Sequence, residues 1–207
     1  MNMSVTQQTV AVELNEEYCS RCSICSSLCP FEAIKKEPET GKIVLEIEKC
    51  QVCGICYSAC PAQVIDIIYY DTDSLERYLE KAKQEYDSDT LVIMCRGSAP
   101  DLAGVEQLFS ASKFIPLLVP CVGRISAEVF LKAIVMGIKK ICVLACDEDY
   151  CRFERGSRIT GRRIPALNLL LEQLGYGKEL INLKRNSLKV KVDTNLCIAC
   201  GNCVYYC

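Results

Sequence analysis

From residue 90 to about 185 the chain alternates short continuous apolar runs with stretches whose apolar residues recur every three or four positions. Leu91–Cys95, Phe114–Val119 and Ile141–Cys146 have the length and composition of buried strands, and Leu180–Leu183 offers a shorter fourth. Between and after them lie three helical patterns. Leu102, Val105, Leu108 and Phe109 mark the first; Val129, Ala133 and Met136 mark the second, between a capping Ser126 and a stop at Gly137. Leu167, Leu170, Leu171 and Leu174 mark the third, which ends at Gly175. Strands separated by helices predict right-handed βαβ units and a parallel sheet, a flavodoxin- or Rossmann-like α/β domain over residues 90–185. Upstream, Leu75, Tyr78, Leu79, Ala82 and Tyr86 predict a connecting helix over 71–89, with Ser74 as its cap and Asp87-Ser88-Asp89 as its break.

Residues 1–70 read differently. Short alternating segments, Val10, Val12, Leu14 and then Ile43 or Val44, Leu45, Ile47, each lead into a cysteine-rich loop, and Glu39-Thr40-Gly41-Lys42 reads as the hairpin turn between the units. The loops share one spacing. Cys19, Cys22, Cys25 and Cys29 are followed by Pro30, and the same C-x2-C-x2-C-x3-C-P run returns at Cys50, Cys53, Cys56, Cys60 and Pro61. Three cysteines at intervals of three let one loop wrap three corners of a cubane, and the proline turns the fourth thiolate toward the neighbouring cluster. The spacing therefore predicts two 4Fe-4S clusters in an α+β ferredoxin-like domain. One is expected on Cys19, Cys22, Cys25 and Cys60, the other on Cys29, Cys50, Cys53 and Cys56. Zinc sites use paired C-x2-C steps or add histidine, which this pattern does not match.

Composition narrows the chemistry. Of 207 residues half are apolar, enough for a real core, and the net charge of −2 gives nucleic-acid binding no electrostatic basis. The 17 cysteines would suggest disulfides in a short secreted chain, but Met1–Val12 has no basic leader with an apolar stretch, and the spacings are metal spacings. A reducing cytoplasm is the expected compartment. No apolar run reaches a membrane span; the longest are Phe114–Val122 and Ile141–Cys146. The absence of histidine removes the usual general base, the usual zinc ligand and the Rieske type of cluster together.

The remaining cysteines fall where an α/β domain binds ligands. Cys95, Cys121 and Cys146 each sit at or just past the carboxyl end of a predicted strand, and Cys151 follows in the loop after the third. Four thiols meeting at that edge make a cluster or a zinc site. Cys142, inside the third strand, reads as an ordinary buried thiol.

Around these cysteines stand Val119-Pro120-Cys121-Val122-Gly123-Arg124, Ala145-Cys146 and Cys151-Arg152-Phe153, followed by Arg158 and Arg162-Arg163. These words resemble the iron–sulfur delta subunit of the methyl-viologen-reducing hydrogenase family, over about residues 90–185. The resemblance implies a 2Fe-2S cluster on Cys95, Cys121, Cys146 and Cys151, and electron delivery to a heterodisulfide reductase A-like flavoprotein in an anaerobic complex. The chain departs from the family pattern at Ser98, where a second cysteine often stands, and at Arg152, where a histidine often follows the last cysteine.

Two features lie outside that frame. Arg152, Arg155, Arg158, Arg162 and Arg163, against only Glu154, read as a docking face for an acidic partner, as positive charge that raises the potential of the adjacent cluster, or as a solvated helix start. Residues 186–207 carry a third run, Cys197, Cys200, Cys203 and Cys207, after an alternating Leu188, Val190, Val192 segment. It predicts a third 4Fe-4S cluster that lacks its own fourth ligand, as a sequence cut short or completed by a partner would.

The function expected is an electron-transfer subunit, which breaks no substrate bond itself. It would relay electrons between a hydrogenase, formate dehydrogenase or ferredoxin and the flavoprotein. Two rivals predict different signs. A catalytic subunit would need an open cluster position or a base, for which Asp147, Glu148 and Asp149 are the candidates. A redox sensor would need solvent-reactive clusters and an output surface.

Overall fold

The computed structural model describes residues 11–99, 102–111 and 113–186. The third cysteine run, its lead-in segment and Val10 lie outside the described residues. In chain order the first part holds β1 (Val12–Leu14), α1 (Ile24–Leu28), β2 (Ile34–Lys36), β3 (Ile43–Leu45), α2 (Ile55–Ala59) and β4 (Ile65–Ile67). β1 pairs antiparallel with β4 and β2 with β3, so the first and last strands close around the unit. The β2–β3 hairpin turns at Gly41, whose φ of +69° suits glycine. Alternation along these three-residue strands sends Val12, Ile34, Ile43, Ile65 and Ile67 into one small core shared with Cys25.

The second part holds α3 (Thr72–Tyr86), β5 (Thr90–Cys95), α4 (Leu102–Phe109), β6 (Ile115–Val119), α5 (Ala127–Val135), β7 (Lys140–Ala145), α6 (Gly156–Gln173) and β8 (Ile181–Arg185). The four strands form one parallel sheet in the order β6-β5-β7-β8. Because a strand alternates, Leu91, Ile93, Ile141 and Val143 enter the core with α3, α5 and α6, while Val92, Met94, Cys142 and Leu144 meet Val105 and Phe109 of α4. Helices cover both faces, which is why these strands are continuously apolar. Cys142 is fully buried among apolar side chains.

Three details depart from the sequence reading. Asp71, not Ser74, caps α3: its carboxylate accepts the Ser74 backbone N–H at 2.8 Å, so the helix begins at Thr72 and Ser74 is its third residue. That helix does more than connect, since Leu75, Leu79 and Ala82 are part of the sheet's core. α6 starts as early as Gly156 and turns Ile164, Leu167 and Leu171 inward, leaving Leu170 and Leu174 exposed. Among the described residues no helix is long and apolar enough to cross a membrane.

Candidate metal centres

Each amino-terminal cysteine run is built the same way. A loop ends in a single-turn helix, α1 or α2, and left-handed residues recur at matching places: Arg21, Ser23 and Glu32 in the first half, Val52, Gly54 and Gln63 in the second. A left-handed residue between ordinary ones turns successive backbone N–H groups toward one side, the concavity that receives anions. Two small cavities lie under the loops. One is bordered by Cys19, Cys22, Cys25 and Cys60, the other by Cys29, Cys50, Cys53 and Cys56. The fourth cysteine of each run thus stands in the other run's cavity. Among the described residues no three cysteine, aspartate or glutamate side chains close on a single point as one ion would require. The thiols instead line the walls of a space between them.

The two cavities differ in exposure. Cys22 is exposed, and the Ile24 backbone N–H holds its thiol below the ordinary range. Cys53, at the same place in its run, is buried, and burial pushes its thiol up; Cys56 is pushed up to about 12 for the same reason.

The sheet supplies a third group of thiols. Cys95 ends β5, Cys121 lies two residues past β6 and Cys146 one past β7, so strand order alone brings them to the carboxyl edge. Cys151 arrives after the single turn Glu148–Tyr150. Cys146 Sγ lies 3.3 Å from Cys95 Sγ and donates toward both Cys95 and Cys151, which raises its own pKa and lowers theirs. Burial pushes Cys121 up. Two glycines keep space at these sulfurs: a Cβ on Gly97 would stand 3.1 Å from Cys146 Sγ, and one on Gly156 only 2.2 Å from Cys121 Sγ and 3.9 Å from Cys151 Sγ. Four thiols, three of them buried, at an edge where two glycines carry no Cβ, are soft ligands of the kind that hold an iron–sulfur cluster or zinc. Ser98 does not join them. Its hydroxyl, fully buried, lies 2.7 Å from the Leu144 carbonyl and 2.9 Å from that of Cys95, tying the loop to β7.

The arginine-rich stretch is not one face. Arg155 donates to the Ser27 carbonyl and Arg163 to Ile125 O and, at 3.2 Å, Ser58 Oγ, so both hold the amino-terminal part against the sheet domain. Arg158 pairs with Glu148 at 3.2 Å, and Glu148 also meets Arg185 at 2.9 Å. A carboxylate held by two guanidiniums is poorly placed to act as the base a catalytic reading would ask of it.

Sequence periodicity gave no sign of the seam these arginines clamp. Cys53 and Ile55 from the second run pack with Cys121 and Phe153 in one buried cluster, flanked by Leu28, Phe31 and Ile159. Phe31 meets Phe153 edge to face at 6.2 Å, and Ser58 Oγ donates to Gly123 O at 2.7 Å. Arg124 lies in the same seam, 2% exposed, with Nη2 donating to Tyr69 O at 2.6 Å and its Cζ 5.2 Å from the centre of the Tyr70 ring. The only hint of it was the word that places Arg124 three residues after Cys121.

Paired cavities beneath crossed cysteine runs, joined through a dry seam to a further group of thiols, define a modular iron–sulfur protein. The chain belongs to the family of the methyl-viologen-reducing hydrogenase delta subunit, whose model matches residues 91–194, and carries a 4Fe-4S dicluster domain matched over residues 11–61. It is similar to the F420-non-reducing hydrogenase vhu iron-sulfur subunit of Methanococcus voltae, 28% identical over 89 residues that make up 43% of this chain and 66% of that protein. The subunit of the same name from Methanopyrus kandleri is 33% identical over 85 residues, 41% of this chain and 64% of that one. The F420-non-reducing hydrogenase iron-sulfur subunit of Archaeoglobus profundus is 27% identical over 104 residues, 49% of this chain and 76% of that one. The chain therefore spans just under two thirds of the first two relatives.

Proposed function

We propose that the chain is an electron-relay subunit of an oxidoreductase complex, with three metal sites in a fixed order among the described residues and a fourth beyond them. The outer site is a 4Fe-4S cluster on Cys19, Cys22, Cys25 and Cys60. The middle one is a 4Fe-4S cluster on Cys29, Cys50, Cys53 and Cys56, and the inner one a 2Fe-2S cluster on Cys95, Cys121, Cys146 and Cys151. A third cubane on Cys197, Cys200 and Cys203, completed by Cys207 or by a partner, belongs to the same reading. Clusters of these kinds store and release single electrons. The chain's own residues fix their spacing, keep water out and leave one end open.

A single observation carries the order: Cys53 of the middle site and Cys121 of the inner one share a buried apolar cluster, whereas Cys22 faces solvent. The partners proposed are a hydrogenase, formate dehydrogenase or ferredoxin on one side and a heterodisulfide reductase A-like flavoprotein on the other. The names of the hydrogenase relatives support an assembly of this type. In the anaerobically loaded full chain, Cys121→Ser is expected to remove the 2Fe-2S signal by Mössbauer spectroscopy and EPR, keep both cubanes of residues 11–61, and stop delivery to the flavoprotein. Cys142→Ser is expected to change none of these. Equal loss from both substitutions, or steady turnover of a metabolite by the isolated chain, would overturn the relay.

A further inference from the structure

Arg124 is a charged side chain buried where a structural role alone accounts for it poorly. Removing a guanidinium from water costs several kcal/mol unless a partner offsets it, and buried arginines are normally held by carboxylates. Its contacts are instead a carbonyl, Tyr69 O, and an aromatic face, Tyr70. Its Nε–H is buried with no hydrogen-bond partner among the described residues, which leaves a donor that folded proteins rarely leave unpaired.

Burial lowers the pKa of the Arg124 guanidinium, and the groups that act against that are Cys121, Cys53, Tyr70 and Cys56: two proposed ligands of the middle site, one of the inner site and a tyrosine. Gly54, in the loop of the middle cavity, is the backbone it leans on: a Cβ there would come 2.8 Å from Arg124 Cβ and 3.0 Å from its Nε. The glycine, itself part of the lining of that cavity, therefore lets the Arg124 side chain lie directly against the loop. Resting on the ligand assignment above, we propose that Arg124 is the fixed positive charge shared by the middle and inner sites, with its free Nε–H donating to a sulfur of the middle one.

The consequence is thermodynamic. Reducing either site adds one negative charge and no proton, and a cation held nearby in a medium of low dielectric stabilises that charge. A donor to sulfur acts in the same direction. Arg124 thus raises the reduction potentials of the middle and inner sites above the values their burial alone would set, and leaves the outer site, whose Cys22 is exposed, unmoved. It offsets the cost that burial puts on carrying an electron into the seam.

The test is a potentiometric EPR titration of the anaerobically loaded full chain, wild type against Arg124→Gln and Arg124→Lys. Arg124→Gln is expected to lower the potentials of the middle and inner sites by at least a tenfold change in the reduction equilibrium, about 59 mV for one electron, with the outer site unmoved. Arg124→Lys is expected to restore the inner site and leave the middle one intermediate. It should also lose an exchangeable proton coupled to the middle site in ENDOR spectra. Unmoved potentials at full iron loading, or an equal fall at all three sites, would overturn the role of Arg124. Should Arg124→Gln fail to load, the lysine variant decides: retention of both the wild-type middle potential and the coupled proton overturns the proposal, and loss of either supports it. A wild-type chain without a second cubane would overturn the ligand assignment itself, which iron content and signal count read separately.

Discussion

The two cysteine runs of the amino-terminal domain have one spacing and two environments. In the first run Cys22 and Ile24 face outward: Cys22 is exposed and Ile24 is 39% exposed. Cys53-Gly54-Ile55-Cys56 faces the sheet domain, and Ile55 is fully buried. At the same place in the motif, one thiol is held down by a backbone N–H and the other is pushed up by burial. A motif therefore specifies a ligand set, while docking decides which copy is the terminus and which is internal. On the proposed relay, it is this docking that gives a repeated ferredoxin domain a direction.

The largest effect should come from breaking the ligand sets unequally. Cys53→Ser is expected to remove the middle cluster, about four of the eight iron atoms of that domain. It should slow reduction of the inner site by more than about 100-fold, beyond what outer-shell changes around a metal usually cost. Cys22→Ser should remove the outer cluster yet leave the inner site reducible through the middle one by a small reductant. Stopped-flow spectroscopy reads both, and equal rates in the two variants would erase the proposed order.

A second test concerns packing. Truncating Ile55 to alanine empties a fully buried site between the two domains and should cost about 2–5 kcal/mol, seen as a lowered temperature for anaerobic loss of cluster absorbance. Ile24→Ala, on the exposed copy, should stay within about 0.5 kcal/mol of the parent. Similar losses from both would mean that the seam contributes little to holding the domains together.

This asymmetry was not legible in the sequence. The strands were, because a sheet covered on both faces writes itself as unbroken apolar runs, and so was the meeting of Cys95, Cys121, Cys146 and Cys151, because parallel strands share a carboxyl edge. The docking was not, because it uses single residues from distant segments. Ile55, Phe31 and Phe153 have no period, and Ser58 and Gly123 meet through one hydrogen bond. The arginines were seen only as charge, although Arg155 and Arg163 are clamps and Arg158 is paired. Asp71 and Ser74 are both good capping residues; the apolar spacing pointed to Ser74, and the cap is Asp71, three residues earlier. α6 begins before its leucines because its first turns are buried through small residues, Gly156, Ser157 and Thr160, that carry no apolar signal.

The third prediction exchanges the residues that differ at the turn itself. Gly54 has φ +79° and supports Arg124. Alanine there should cost about 1–2 kcal/mol for the left-handed backbone alone, with the contact at 2.8 Å added. Because the same change displaces Arg124, it should also lower the middle potential. A stability loss with that potential unmoved would separate backbone strain from charge placement.

The smallest effect is expected at Ser23, which holds the matching turn of the outer run at φ +66° without capping α1. Its hydroxyl donates only to Arg21 O, at a long 3.4 Å, and the Ser26 hydroxyl bonds the Ser23 carbonyl, which glycine would keep. Ser23→Gly removes about 1–2 kcal/mol of left-handed strain and adds about 0.5–1 kcal/mol of chain entropy to be lost on folding. The net expectation is a gain of roughly 0.5 kcal/mol, the difference of those two terms, with all three potentials unchanged. The position is half-buried, and the buried Arg124 lies against Gly54 and not here, so the two sides of the repeat should respond with opposite signs to opposite substitutions. A loss of about 1 kcal/mol instead, measured as faster anaerobic cluster release, would show that the Ser23 side chain holds the outer loop as Arg124 and Gly54 hold the middle one.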